Sequence, residues 1–362
     1  MSKRAFLASG LLFFVLGLGV FYFSLKAFNA WLTPPKGGEV KYVFYEVQRN
    51  QTVKAIAQDL EGLGVVSNPL LFYWYGRITG RNGRIKSADY RLSNQMSPQE
   101  VFDILTSGIS YGFPVPVPEG FNLEQIGQIL EKIRPHSGRK FIHLCKDKHF
   151  IAKVAEEMNF NEVPFSLEGY LFPETYSMTR KTTEEELIRN MVRKYRQVFT
   201  KALVQKANQM GFTEHQMVTL ASIIEKETGA PQERPLISSV FHNRLKKKMR
   251  LQSDPTIIYG MENYNGNIRK KDILRKSPWN TYVIPALPIG PISNPGKESL
   301  LAALNPAESD YLYFVSHNDG THEFTTNLKD HDKAVARYQL NKSSKEGRSW
   351  KELSKALGKI KD

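Results

Sequence analysis

The sequence predicts an α+β chain: an N-terminal transmembrane helix, a small α+β module, then a larger mixed α/β subdomain. Three observations carry that expectation. Ala5–Leu25 is an uncharged run dominated by Leu, Phe, Val and Gly. From Val43 to Ser107, β-rich stretches alternate with apolar residues at helical spacing. Beyond Gly108, longer helical stripes are separated by loops dense in Gly, Pro and amides. The 362 residues suffice for two or three domains, each with its own core. The expected division is 1–4 as a cytoplasmic stub, 5–25 across the membrane, 26–41 as linker, 42–110 and 111–340 as the folded parts, and 341–362 as a basic tail.

The N-terminal run is about 20 residues long, enough to cross a hydrocarbon core as a helix. Lys3 and Arg4 precede it, and Tyr22 and Trp31 suit the far interface. A cleaved signal peptide would have a shorter apolar region, about 7–15 residues, ending in a small-x-small site. Phe21, Tyr22 and Phe23 occupy that end, so the run reads as an uncleaved single-pass anchor with the bulk of the chain outside the cytoplasm. A formal charge of +14 suits an anionic partner, such as lipid headgroups or an acidic polymer. Nucleic acid is not expected outside the cytoplasm. The single cysteine, Cys145, excludes an intramolecular disulfide and a multi-cysteine metal site.

Pro34, Pro35, Gly37 and Gly38 mark the linker. Val43–Val47 is rich enough in Val, Phe and Tyr for a strand. Val53, Ile56, Ala57 and Leu60 follow Thr52 at helical spacing, and Gly62 and Gly64 end that helix. A second helix is expected over Asn68–Thr79, a strand over Arg84–Leu92, and a helix over Ser97–Ser107 with Pro98 in its first turn. On Thr52, Ile56, Ala57 and the Val65–Val66 pair, this strand–helix–helix–strand order resembles the LysM domains, small glycan-binding units. Pro114, Pro116 and Pro118 predict an edge strand within Gly108–Pro118. Asn122–Ile133, Phe141–Phe150 and Ile151–Met158 read as helices. A longer helix is expected from Glu184–Glu186, acids that suit a helix N-terminus, to about Ala207.

Chemistry concentrates between Thr213 and Gly260. Thr213 and Gln216 suit a capping box, Met217, Leu220, Ala221, Ile224 and Thr228 follow at helical spacing, and Gly229 with Pro231 close the helix. Glu225 and Glu227 fall in its last turn, where the helix dipole disfavours an anion and partial burial would favour the protonated acid. A carboxylic acid that keeps its proton near neutral pH is what general-acid chemistry needs. The generic alternative is a pair of solvated glutamates flanking Lys226. Periodicity does not choose between the two acids. Glu225 follows Val218, Ala221 and Ser222 on its stripe, and Glu227 follows Leu220, Ile223 and Ile224. The smaller side chains beside Glu225 leave more room for a sugar. A second helix opens at Gln232 and runs through Leu245, and a polar loop is expected from Leu251 to Thr256. With Ser166–Tyr176, Asn280–Tyr282 and Leu287–Gly296, it supplies the amides, carboxylates and ring faces of which sugar sites are built.

On Leu167–Tyr176, Leu220–Thr228, Met249–Gly260, Asn280–Tyr282, Leu287–Gly296 and Tyr311–Thr325, in both order and spacing, the chain from about Val43 to Tyr338 resembles the YceG-like family, the endolytic murein transglycosylases. The resemblance implies a single-pass inner-membrane protein with a LysM-like subdomain and a catalytic subdomain in the periplasm. It implies cleavage of the bond between N-acetylmuramic acid and N-acetylglucosamine within nascent glycan strands, leaving a 1,6-anhydro end and setting strand length. It puts the catalytic glutamate on Glu225. Glu168, Gln252, Asp254, Tyr259, Asn280, Tyr282 and Asn294 are the candidates for binding substrate, with Glu168 or Asp254 as a second, orienting acid. No cofactor is implied, and His242, His317, His322 and His331 show no recognised metal-ligand spacing. The expected partners are peptidoglycan glycan strands, the inner membrane and, as protein candidates, peptidoglycan synthases. Two rival readings remain open: a non-catalytic glycan-binding scaffold, and a muramidase that uses water with Asp254 as its second carboxylate.

Overall fold

The structure, a computed structural model, describes residues 3–33, 38–227, 230–261 and 264–340, and describes side chains from 16 to 339 within those ranges. The linker residues Pro34, Pro35 and Gly37, the helix-closing Thr228 and Gly229, and the basic tail lie outside the described residues. The chain divides into two compact units, Met1–Phe113 with Thr179–Lys181, and Pro114–Met178 with Thr182–Asp362.

The first unit contains α1 (Lys3–Leu32), β1 (Tyr42–Glu46), α2 (Val53–Gly62), α3 (Pro69–Ile78), β2 (Asp89–Ser93) and α4 (Pro98–Ser107). The strand–helix–helix–strand order is the one its sequence predicts, and β2 is shorter than expected. β1 and β2 pair antiparallel, from Tyr42 opposite Ser93 to Glu46 opposite Asp89. The helices α2, α3 and α4 each start on a capping residue. Thr52 Oγ1 accepts Ala55 N–H, Asn68 Oδ1 accepts Leu71 N–H, and Ser97 and Glu100 form a reciprocal capping box ahead of Pro98. Gly108 closes α4 at φ 70, a left-handed conformation that favours glycine. Ile56, Leu60, Phe72, Leu92, Phe102 and Leu105 are buried in one core, where the Phe72 and Phe102 rings stack with centroids 4.2 Å apart. Full burial stabilises each such side chain by about 1.5–3 kcal/mol. Among the described residues no helix is long and apolar enough to cross a membrane. The expected span, Ala5–Leu25, falls partly outside the described side chains.

The second unit is helix-rich. It runs through β3 (Phe113–Pro116), α5 (Leu123–Ile133), α6 (Ser137–Lys146), α7 (Lys148–Glu157), β4 (Thr175–Met178), α8 (Glu184–Val198), α9 (Lys201–Gln209) and α10 (Glu214–Glu227). It continues with α11 (Arg234–Lys246), α12 (Asp254–Tyr259), α13 (Lys270–Ile273), α14 (Lys297–Leu304), β5 (Tyr313–Ser316), β6 (His322–Thr325) and α15 (Leu328–Val335). β3 pairs with β4, and β5 with β6 as an antiparallel hairpin. One core gathers α5, α6, α7 and α8 through Ile126, Phe141, Ile151 and Met191; a second surrounds α10 through Phe199, Met217, Phe241 and Leu300.

Three elements depart from the sequence reading. The helix expected to run to about Ala207 breaks after α8. Phe199 leaves helical geometry at ψ 78 to stack on Tyr195, and Thr200, extended at ψ 165, restarts the chain as α9. The helices expected to meet at Phe150 and Ile151 meet instead at Asp147, whose Oδ1 accepts Phe150 N–H at 2.7 Å and so starts α7. The polar loop expected from Leu251 contains a helix, α12, because Asp254 and Pro255 occupy its first turn, where an acid and a proline are both favoured.

Candidate active site

α10 carries its two acids out of a mostly apolar interior. Its N-terminus is capped by the predicted pair: Thr213 N–H donates to Gln216 Oε1 at 2.9 Å, and Gln216 N–H donates to Thr213 Oγ1 at 3.3 Å. Met217, Val218, Leu220, Ala221, Ile223 and Ile224 are all buried. Ser222, also buried, must find partners, and it finds them in the 287–296 loop. Its hydroxyl donates to Thr219 O at 2.7 Å and accepts Ile292 N–H at 3.1 Å, while Ser293 Oγ donates to Ser222 O at 3.2 Å. That loop is thereby fixed along α10.

Residues two apart on a helix point in nearly opposite directions, and Glu225 and Glu227 enter different surroundings. Glu225 Oε2 accepts Gly296 N–H at 2.9 Å, and Arg234 Nη2 stands 3.5 Å from its Oε1. The same guanidinium nitrogen lies 4.0 Å from Glu119 Oε2. A Cβ at Gly296 would stand 2.0 Å from Glu119 Oε1, so a side chain there would displace the Glu119 carboxyl. Burial, then the like charge of Glu225, push the Glu119 carboxyl upward, against the pull of Arg234. Lys226, between the two acids, donates from Nζ to Gly120 O at 3.3 Å, and burial pulls its ammonium down. The Glu225 side chain, 6% exposed, is therefore held by a cation on one oxygen and an N–H on the other.

Glu227 accepts a hydrogen bond on Oε1 from the Ser253 hydroxyl and lines a pocket of about 520 Å³ with Arg244, Gln252, Asp254, Tyr282 and Tyr313. Burial pushes its carboxyl up to about 7. The charge of Asp254 adds to that push, while the Ser253 hydrogen bond and Arg244 oppose it. Asp254 is itself oriented, because Tyr282 Oη donates to its Oδ1 at 2.6 Å. Arg244 stays close because backbone carbonyls hold it: Nε donates to Leu312 O at 2.6 Å and Nη1 to Leu251 O at 2.7 Å. The turn that presents Gln252 and Ser253 hangs on Thr281. Ser253 N–H donates to Thr281 Oγ1 at 2.9 Å and Gln252 N–H to Thr281 O at 3.3 Å. His322 and His331 also line this pocket, the first bonded through Nδ1 to Glu233 Oε2 at 2.7 Å, the second stacked on Tyr313.

Of the sequence-predicted substrate residues, Gln252, Asp254 and Tyr282 thus gather around Glu227. Four others have their polar atoms committed to the chain. Asn294 Oδ1 accepts Gly169 and Leu171 N–H at 2.9 and 3.0 Å, and its Nδ2 donates to Phe121 O and Glu168 Oε1 at 2.9 and 3.0 Å. Asn280 Nδ2 donates to Ile273 O and Arg275 O at 3.0 and 2.8 Å, and its Oδ1 accepts Tyr282 N–H at 3.0 Å. Glu168 is buried and accepts from Leu123 N–H and from Tyr259 Oη, each at 3.1 Å. These residues tie loops of the second unit to one another. Sequence reasoning passed over Arg244, Ser253 and Thr281. The last two lie in stretches it flagged, but hydroxyls in polar loops carry no sign of which one faces a carboxyl.

A carboxyl that keeps its proton near neutral pH, beside a carboxylate, an amide and phenol rings, can give a proton to an acetal oxygen and take one back.

The comparisons agree with one another. Residues 45–337 match the model of the YceG-like family. An endolytic murein transglycosylase of Bacillus subtilis (strain 168) is 34% identical over 325 residues, covering 87% of this chain and 89% of that protein. An endolytic murein transglycosylase of Streptococcus pneumoniae (strain ATCC BAA-255 / R6) is 29% identical over 368 residues, 94% of this chain but only 66% of its own length. The crystal structure of a YceG-like protein, lmo1499 of Listeria monocytogenes, superposes with a TM-score of 0.58 at 30% identity, covering 81% of this chain and 98% of that one.

Proposed function

The chain belongs to the YceG-like family, and on that premise we propose that it is a lytic transglycosylase of murein that cuts glycan strands internally, with Glu227 as its proton-transfer group. The relatives' names support the reaction. The observation that supports Glu227 is its carboxyl, pushed up to about 7 on the wall of a 520 Å³ pocket with Gln252, Asp254 and Tyr282. Glu225, on which the sequence resemblance puts the catalytic role, is engaged by Arg234 and the Gly296 N–H.

The mechanism needs one acid. Protonated Glu227 gives its proton to the glycosidic oxygen as an oxocarbenium-like state develops and the bond between N-acetylmuramic acid and N-acetylglucosamine breaks. The Glu227 carboxylate then takes the proton of the muramoyl 6-hydroxyl, whose oxygen closes on the anomeric carbon. The product ends in a 1,6-anhydro sugar, no water is consumed, and Glu227 regains its proton. Asp254 has two parts here. Its charge helps keep Glu227 protonated at rest, and it opposes no positive charge developing at the anomeric carbon. The rings of Tyr282 and Tyr313 suit the apolar face of a sugar.

The wider reading has α1 as an uncleaved inner-membrane anchor, the remainder in the periplasm, and the β1–α2–α3–β2 module as LysM-like. The substrate is nascent, un-crosslinked glycan, and peptidoglycan synthases are the candidate protein partners.

The test is incubation of Glu227→Gln and Glu225→Gln with purified un-crosslinked glycan strands, with products read by mass spectrometry. Anhydro-ended fragments should vanish with Glu227→Gln and persist with Glu225→Gln; the reverse pattern would return the role to Glu225. A hydrolytic muramidase would leave ends about 18 Da heavier, by one water. Intact strands after long incubation with the unmodified protein would leave a glycan-binding scaffold.

A further inference from the structure

The first unit carries an apolar face that the proposed reaction does not use. On α3, Leu70, Trp74 and Ile78 follow one another at four-residue spacing and so share one side of the helix. They are 63%, 48% and 81% exposed. The opposite side is not the polar one, because Phe72 and Gly76 are buried in the unit's core. A helix apolar on its outer face as well as its inner face marks an interaction surface.

The stretch of chain that carries this face has charge of one sign, with Arg81 paired to Asp103 at 2.6 Å. From Gly62 to Ala88 the chain contains Arg77, Arg81, Arg84 and Lys86 and no aspartate or glutamate. The Arg77 guanidinium lies 5.6 Å from the centre of the Trp74 ring, and Lys54 Nζ lies 5.4 Å from that of Tyr73. Lys54 and Arg77 line an open pocket of about 530 Å³ beside the stripe. The helix that would enter a membrane is attached here too. Trp31, near the end of α1, packs against Tyr75 of α3 with ring centroids 6.1 Å apart, and farther along α1 the side chains of Val20, Phe21 and Phe23 are exposed.

We propose that the Leu70–Trp74–Ile78 face of α3, with its surrounding cations, docks on the anionic headgroup surface of the bilayer that α1 enters. Apolar side chains sink to the boundary between headgroups and acyl chains, a tryptophan sits at headgroup level, and Lys and Arg meet lipid phosphates. A glycan strand would be met by ring faces and amides, whereas Leu70 and Ile78 offer a sugar neither. The inference rests on the reading of α1 as an anchor.

Cys145 is buried and Ile78 is exposed, so Ile78→Cys in the full chain can be labelled selectively with a polarity-sensitive fluorophore. The chain is reconstituted into vesicles of phosphatidylcholine alone, or of phosphatidylcholine and phosphatidylglycerol in equal parts. The label should shift to the blue and be quenched by acyl-brominated lipid, more strongly in the anionic vesicles, and Arg77→Glu with Arg84→Glu should remove most of that difference. A chain that floats with the vesicles while its label stays in water overturns this docking and leaves the anchor standing. A chain that floats with neither vesicle overturns both. A blue shift without lipid, whether it follows protein concentration or added glycan strands, assigns the face to a second copy or to glycan instead.

Discussion

Tyr282 Oη donates a hydrogen bond to Asp254 Oδ1 over 2.6 Å, and that bond orients the charge that helps keep a proton on Glu227. Two separate chain segments are needed for the arrangement. Asp254 comes from the first turn of α12, and Tyr282 from a loop held by the Asn280 carboxamide.

The rate of glycan cleavage should therefore follow the protonated Glu227. It should hold at acid pH and fall as pH rises through about 7. Asp254→Asn keeps an oxygen for the Tyr282 hydroxyl but removes the negative charge. Since that charge pushes the Glu227 carboxyl up, the alkaline limb of kcat should move to lower pH, by up to about one unit. A limb that stays in place in this variant would detach Asp254 from the proton-transfer group.

Glu225→Gln should cost stability rather than cleavage. The pair with Arg234 is largely enclosed, at 6% and 11% side-chain exposure. Removing one partner of such a pair is destabilising, but the glutamine oxygen still accepts Gly296 N–H and Glu119 remains near Arg234. The expected loss is about 1–3 kcal/mol, read as a lower denaturation midpoint in urea with an unchanged slope. An inactive variant of native stability would contradict this assignment.

Helix periodicity and capping were legible in the sequence, because local rules set them. Thr213 with Gln216 caps the helix it was expected to cap, and Pro98 sits in the first turn of α4 as expected. The break at Phe199 was not legible, because it is made by a ring finding Tyr195 in the core. At the site, the two acids of α10 could be found by sequence but not told apart. What separates them is the approach of Ser253 and Asp254 to one and of Arg234 and Gly296 to the other. Those are contacts between distant segments. Asn294 shows the same limit: an asparagine in a Gly- and Pro-rich loop suits a sugar amide, yet four hydrogen bonds within the chain occupy it.

Glu168 gives the fold a pH dependence opposite in sign to that of an ordinary ion-paired carboxylate. It is 3% exposed, and burial pushes its carboxyl from 4.5 up to about 7, against the donated bonds of Leu123 and Tyr259. Between those two values the folded chain binds more protons than the unfolded one, so stability falls as pH rises through that window. The full contribution is present below about 4.5 and is lost by about 7, a change of about 3 kcal/mol from this one group. Glu227, also pushed up to about 7, adds a change of the same sign. In a Glu227→Gln background, urea midpoints measured across this range should fall with pH, and adding Glu168→Gln should flatten the dependence. The added variant should also be less stable at every pH, since an amide nitrogen facing Asn294 Nδ2 would set donor against donor. His242 and His331, whose imidazoles burial holds below their usual range, add a change of the opposite sign in both backgrounds, so the test is the difference between them: a dependence that adding Glu168→Gln leaves unaltered would mean that Glu168 is folded as a carboxylate held by its three donors.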